Sequence, residues 1–323
     1  MVDVSIVIVC MNRPENLTPC LDSIREYTKV SYETFVVAYL FTLENLSWLR
    51  ENYPWVTIVE SNEIRGFSEN NNLALRLAKG KYCFVVNDDT WMEMSVVDAL
   101  VADLENLSPN AAAVQPAAFF PDGRRQMCGR VSWTPWFYLK SYFHLTDETK
   151  PSRWTWQDGL FKTGSLNGAC FLIKTDIFRQ VGWFDETYTF TPEDLALGFL
   201  LVNEGYDVYA DASVKITHVA NATASTFTPI LKPVRVRGSL ILYSSLHHLS
   251  SPQGTEHVNR ITYFFMALSI FAFESLRGLK YLFLRGAGAR LMAATARNVR
   301  HTVFTRKSPK EVFLYYYESR RYE

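Results

Sequence analysis

Residues 84–90 read Phe84-Val85-Val86-Asn87-Asp88-Asp89-Thr90, a short apolar strand running directly into two adjacent acids. Such a run is normally buried, and a carboxylate is costly to bury without a partner. A divalent cation supplies one, because hard cations take carboxylate oxygens. Ligands of open α/β sheets gather at the carboxyl ends of the strands, so placement and chemistry point to one spot. A nucleotide diphosphate held there would have its phosphates bridged, and its leaving group neutralised, by the metal. The competing reading is a strand end with two solvated acids. A second pair, Glu193-Asp194, follows Pro192. Proline suits the first turn of a helix, where the dipole favours carboxylates. One acid of that pair can serve as general base on a hydroxyl, or both can simply decorate the helix end. His218 follows the strand-like residues 212–216 and reads as a structural histidine or a ligand. Gly66-Phe67 with Asn70-Asn71-Asn72 forms a glycine-led polar turn into a helix, either a capping loop or a nucleotide contact.

The elements that must position these groups alternate over the first 115 residues. The β-branched run 4–9 predicts a strand, and residues 14–27 a helix with Asn12 as its cap, Pro14 in its first turn and Glu15 at the capping-box position. Strands at 33–40, 57–60 and 82–86 and helices at 44–51 and 67–78 follow, with Gly80 closing the last helix. This β-α-β-α order predicts an α/β fold, a mainly parallel sheet with helices on both faces. Residues 116–228 are aromatic and loop-rich, with a strand expected at 170–173, and from Pro229 onward the pattern is helical and basic. Three regions result: 1–115, 116–228 and 229–323.

The 323 residues are 48% hydrophobic and 15% aromatic, enough for a large core and against disorder. Five Cys without a CxxC pair suggest neither a disulfide framework nor a zinc site, and fit a reducing, cytoplasmic setting. Asp3 is acidic where a signal peptide would start basic, and the longest apolar stretch, 261–273, is too short to span a bilayer. Net charge is zero but uneven: from Arg277 onward there are 11 Lys+Arg against 3 Asp+Glu, and before it 22 against 30. The basic end suggests an anionic surface or substrate, or a solvated helical face. Nothing calls for a nucleic acid.

In order along residues 3–225, these segments resemble family 2 glycosyltransferases of the GT-A fold. The resemblance is carried by residues 4–9, Asn12-Arg13-Pro14-Glu15-Asn16-Leu17, Gly66-Phe67, Asn71-Asn72 and Ala78-Lys79-Gly80-Lys81-Tyr82. It continues through Asn87-Asp88-Asp89-Thr90, Asp122-Gly123-Arg124, Thr163-Gly164, Gly168-Ala169-Cys170, Gly182-Trp183-Phe184-Asp185-Glu186, Glu193-Asp194 and His218. The set is most similar to bacterial rhamnosyltransferase-type enzymes of cell-surface polysaccharide assembly. It implies an inverting, metal-dependent transfer of a sugar from a nucleotide-diphosphate donor, dTDP-rhamnose or a UDP-sugar, to a glycan or polyprenyl-diphosphate-linked acceptor. Asp89 matches the ligand of Mg²⁺ or Mn²⁺, and His218 a histidine that approaches the metal. Asp194 matches the catalytic base, with Glu193 beside it. Val9, Met11, Asn12, Arg13, Tyr39, Gly66, Asn71, Asn87 and Asp88 fall to the donor, and Gly168, Trp183 and Asp185 to the acceptor.

Some positions depart from the family pattern. Ala38 takes the place of the Asp that reads the nucleobase, which leaves Tyr39 to stack on the base; Ile64 replaces an Asn, and Ala196 and Leu200 replace a later Asp and Arg. A non-catalytic sugar-nucleotide binder of the same family is the alternative these changes motivate. A nucleotidyltransferase would want a glycine in Cys10-Met11-Asn12-Arg13, and an aspartyl-phosphate phosphatase an Asp at Asn87. Residues 257–310 read as a basic amphipathic segment, suited to the inner face of an anionic membrane, to packing on the catalytic domain or to a homo-oligomer contact.

Overall fold

The computed structural model describes residues 2–146, 150, 152–220, 228–246, 248–251, 254–258 and 260–319. The first half alternates as the pattern predicts: β1 (Val4–Cys10), α1 (Pro14–Tyr27), β2 (Tyr32–Tyr39), α2 (Leu43–Asn52), β3 (Thr57–Ser61), α3 (Phe67–Leu75), β4 (Tyr82–Asn87), β5 (Thr90–Met92) and α4 (Val96–Asn106). The second half runs β6 (Ala111–Phe119), β7 (Arg125–Met127), α5 (Pro135–Tyr142), β8 (Leu160–Lys162), β9 (Cys170–Lys174), α6 (Thr175–Gln180), α7 (Glu193–Asn203) and β10 (Asp207–His218). Then come α8 (Thr228–Ser245), a hairpin of β11 (His248–Ser251) and β12 (Gly254–His257), α9 (Arg260–Leu282), α10 (Ala287–Val303) and α11 (Pro309–Ser319). Residues 320–323, the end of the expected extension, lie outside the described residues.

One sheet carries the strand order β3-β2-β1-β4-β9-β6-β10-β5, with β7 on β6 and β8 on β10. It is parallel across β1–β4, as expected. Beyond β4 it is mixed, because β9 enters antiparallel between β4 and β6 and β5 pairs antiparallel with β10. Period-two alternation divides the core. Ile6, Ile8, Val36, Ala38, Phe84 and Val86 face α1, α2 and α4, whereas Val7, Phe35, Val37, Cys83 and Val85 face α3, α6 and α7. The sheet runs unbroken through residue 116, which sits inside β6, and α8 opens at residue 228. All five cysteines are free and buried.

Asn12 does not cap α1. Arg13 takes the cap position without a side-chain bond, and Pro14 supplies the preset first turn. The Asn12 carboxamide, on a residue with φ +51°, instead accepts from Thr42 N at 2.9 Å and from Asn45 Nδ2 at 2.8 Å, so it ties β1 to the start of α2. The C-terminal helices pack on the domain: Val236, Leu240, Tyr243, Met266, Ala267, Ile270, Val299 and Val303 form one buried cluster with Tyr138, Tyr188, Leu195 and Phe199. No described helix is long and apolar enough to cross a membrane.

Candidate active site

The strand end of β4 is built as the sequence suggests. Asn87 is its last residue, and Asp88 and Asp89 form the turn into β5. β5 pairs with β10 so that Thr90 faces His218, and Val219 N donates to Asp89 O at 3.0 Å. This pairing sets His218 Nε2 3.3 Å from Asp89 Oδ1, with both side chains largely covered. Gln126 of β7 completes the arrangement. Its Oε1 lies 2.9 Å from His218 Nδ1, and its Nε2 donates to the carbonyls of Phe119 and His218. The amide oxygen toward the ring places Nδ1 to donate, an arrangement that would leave Nε2 available to ligate a metal beside Asp89. Neighbouring ligands on one octahedral ion with bonds of about 2.1 Å lie roughly 3 Å apart, so the pair fits a shared divalent cation. Among the described residues no group of three or more His, Cys, Asp or Glu gathers to hold a metal. Two protein ligands suit an ion whose remaining positions go to substrate phosphates and water. Beside them, burial and then the charge of Asp89 push the Asp88 carboxyl up to about 7, against the Cys10 thiol and Arg13, which lower it.

Asp194 sits at the start of α7. Its Oδ2 accepts from Arg130 Nη1 at 2.8 Å and from Gly168 N at 3.1 Å, and its Oδ1 from Leu195 N at 2.8 Å. The Arg130–Asp194 pair is nearly buried, with side chains 11% and 13% exposed. Glu193 is buried next to it and accepts from Thr191 N at 2.5 Å. Burial first and the Asp194 charge second raise its carboxyl to about 7. The two acidic centres adjoin along the chain trace: Asn87 N donates to Ala169 O at 2.9 Å, and the neighbouring Gly168 N holds Asp194.

Other expected donor and acceptor residues have structural places. Gly66 packs against the Thr189 backbone, where an added Cβ would lie 2.3 Å from Thr189 O, and Phe67 N donates to that oxygen at 2.8 Å. Asn71 is buried with its amide on Phe67 O, while Asn72 clamps both backbone faces of Phe184. Gly66, Phe67 and Asn72 thus fasten the start of α3 to residues 184–189. Tyr39 is 4% exposed and its hydroxyl accepts from Arg65 N, so packing already covers the ring that was to stack on a base. Trp183 packs on Phe178 and Arg179 of α6, and Asp185 accepts from Thr187 N to shape the following turn. Val9 and Arg13 are partly exposed and Met11 is 41% exposed, at the open end of β1. Gln126 and Arg130 were absent from the expected set. An isolated Gln and Arg in a loop-rich stretch carry no pattern, although Arg130 falls in the same aromatic segment as Trp133.

The model of the glycosyl transferase family 2 domain matches residues 5–182. The chain belongs to glycosyl transferase family 2. The match includes Asp88 and Asp89 and ends before Glu193, Asp194 and His218. Among curated proteins, the O-antigen biosynthesis protein RfbC of Myxococcus xanthus is 24% identical over 224 residues, 68% of this chain and 17% of RfbC. An N-acetylglucosaminyl-diphospho-decaprenol L-rhamnosyltransferase of Mycobacterium tuberculosis is 29% identical over 160 residues, 44% of this chain and 48% of that protein. The chain thus spans less than half the length of these relatives. The mannosyltransferase PcManGT from Pyrobaculum calidifontis, solved with GDP-Man and Mn²⁺, superposes with a TM-score of 0.54 at 16% identity, covering 93% of this chain and 83% of that one. GalNAc-T7, solved with UDP, GalNAc and Mn²⁺, gives 0.51 at 14% identity over 68% and 44%. These likenesses establish the GT-A fold.

Proposed function

We propose that this glycosyltransferase moves a sugar from a nucleotide-diphosphate donor to a hydroxyl of a lipid-linked glycan, with inversion, in surface polysaccharide synthesis. The observation that carries the reading is the Asn87–Ala169 contact, which joins the Asp89–His218 pair to Asp194 through Gly168. Asp89 and His218 are the residues that would hold Mn²⁺ or Mg²⁺. When bound, such an ion offsets the charge that develops on the departing diphosphate. Asp194, oriented by Arg130 and two backbone N–H groups, takes the proton from the acceptor hydroxyl as its oxygen attacks the anomeric carbon. One displacement inverts that carbon and needs no covalent intermediate. The relatives' names support the acceptor and a rhamnosyl or other sugar nucleotide as donor.

Peripheral attachment to an anionic lipid surface belongs to the same reading. α9 turns Ile261, Phe264, Phe265, Leu268, Leu276 and Leu279 outward, a stripe flanked by exposed Arg260, Lys280, Arg285 and Arg290.

The test is a panel of nucleotide sugars with Mn²⁺ and a lipid-linked acceptor. Asp194→Asn should bind donor as wild type does and lose about 10²- to 10⁴-fold in transfer rate. Wild type that binds donor with metal but never transfers to any lipid-linked sugar would sink the enzymatic reading.

A further inference from the structure

Beside Asp194 a cavity of about 570 Å³ opens between α5, α8 and the 191–195 turn. Among the described residues its wall contains Arg130, Lys232 and Arg235 and no carboxylate, along with the rings of Trp133, Tyr138 and Tyr142. Two of the cations are already engaged: Arg130 with Asp194, and Lys232 with Glu274 Oε1 at 2.9 Å and over the Tyr142 ring at 4.5 Å. Arg235 differs. Its side chain is exposed at the cavity, and it makes no hydrogen bond or ion pair with a described residue. It feels the Glu193 and Asp194 carboxylates only as more distant charges. A guanidinium held this way, with an ammonium beside it in the same wall, suits a doubly charged oxyanion.

We infer that this cavity seats the diphosphate that joins an acceptor sugar to its lipid. The inference rests on the glycosyl-transfer reading above and assigns the acceptor's anionic part to Arg235 and Lys232. The surroundings agree with a lipid. Glu274 and Phe273 of α9 reach the cavity wall through Tyr142, and the same helix carries the outward apolar stripe. A chain leaving the cavity along α9 would find apolar surface, while a sugar on the other side of the diphosphate would lie toward Asp194.

Calorimetry on the full-length protein in EDTA tests this with two probes, inorganic pyrophosphate and farnesyl diphosphate. Both should bind, the lipid form about tenfold tighter through its buried methylenes. Arg235→Gln should weaken both about tenfold, the loss expected of one charge-assisted contact. Arg235 makes no hydrogen bond or ion pair with a described residue, so the melting temperature of the variant should hold. Lys232→Gln, which also releases Glu274, serves as the second variant. No binding to wild type, or unchanged affinity in both variants, overturns the assignment. Equal affinity for the two probes overturns its lipid part. Binding of a nucleotide sugar with Mn²⁺ to the same wild-type protein reads the donor site separately. Its loss beside intact, Arg235-dependent pyrophosphate binding condemns the donor reading and leaves the cavity standing.

Discussion

At the scale of single residues, the site depends on groups that hold other groups. Gln126 touches neither acid, yet it sets which nitrogen of His218 faces Asp89. Gln126→Leu should therefore weaken Mn²⁺ binding about 10- to 100-fold, read by titration in the presence of a nucleoside diphosphate. Glu193 makes a stability prediction. Its folded carboxyl is raised from 4.5 to about 7, so the folded protein binds that proton more readily than the unfolded chain. The stabilising share is complete below the unfolded value and disappears as pH rises through about 7. Urea midpoints at pH 5 and pH 8 should fall further in wild type than in Glu193→Gln, and equal falls would refute the buried-acid account. Asp89 and Asp194 are visible as candidates in the sequence because acids after an apolar strand, or at a helix start, stand out against their neighbours. Arg130 and Gln126 are not, because each acquires meaning only from a partner far along the chain. The amides of the Asn70–Asn72 run meet backbone of residues 65–67 and 184, a use of polarity that the sequence does not display.

At the scale of elements, a three-residue strand and one glycine decide much of the geometry. β5 spans only Thr90–Met92, and its pairing with β10 is what brings His218 to Asp89. The β-α-β-α order, with continuous apolar runs at β1 and β4, foretold the parallel half of the sheet. β5, β7 and β8 are too short to show a period of two, and the antiparallel entry of β9 comes from tertiary pairing that its own residues do not encode. Gly238 lets α8 approach the turn before Asp194: a Cβ there would lie 2.8 Å from Thr191 O and 2.9 Å from Pro192 Cδ. Gly238→Val should push α8 outward and lower the melting temperature, and it should reduce transfer more than donor binding. A variant with wild-type transfer and stability would show that the turn can yield.

At the scale of the molecule, the C-terminal helices pack on the rest of the domain, one of the roles their composition allowed. Their inner faces bury Met266, Ile270, Val299 and Val303 in a core shared with α7 and α8, so removing them would strip that core. A surface test needs point changes. Phe264→Glu with Leu268→Glu, both exposed, should abolish sedimentation with anionic vesicles while leaving the thermal transition in place. Unaltered sedimentation would leave the stripe without a lipid role. α11 returns to the rest of the domain, with Lys310 Nζ 2.6 Å from Glu69 Oε1 and Phe313 against Phe190. This fastening lies beside the backbone contact of Gly66 with Thr189. Contacts from both halves of the chain thus meet along one rim. The cationic cavity starts at this same rim, because Thr191 and Leu231 of its wall adjoin Phe190 and the Phe313 cluster, so any widening of the cavity would have to come from its α5 side.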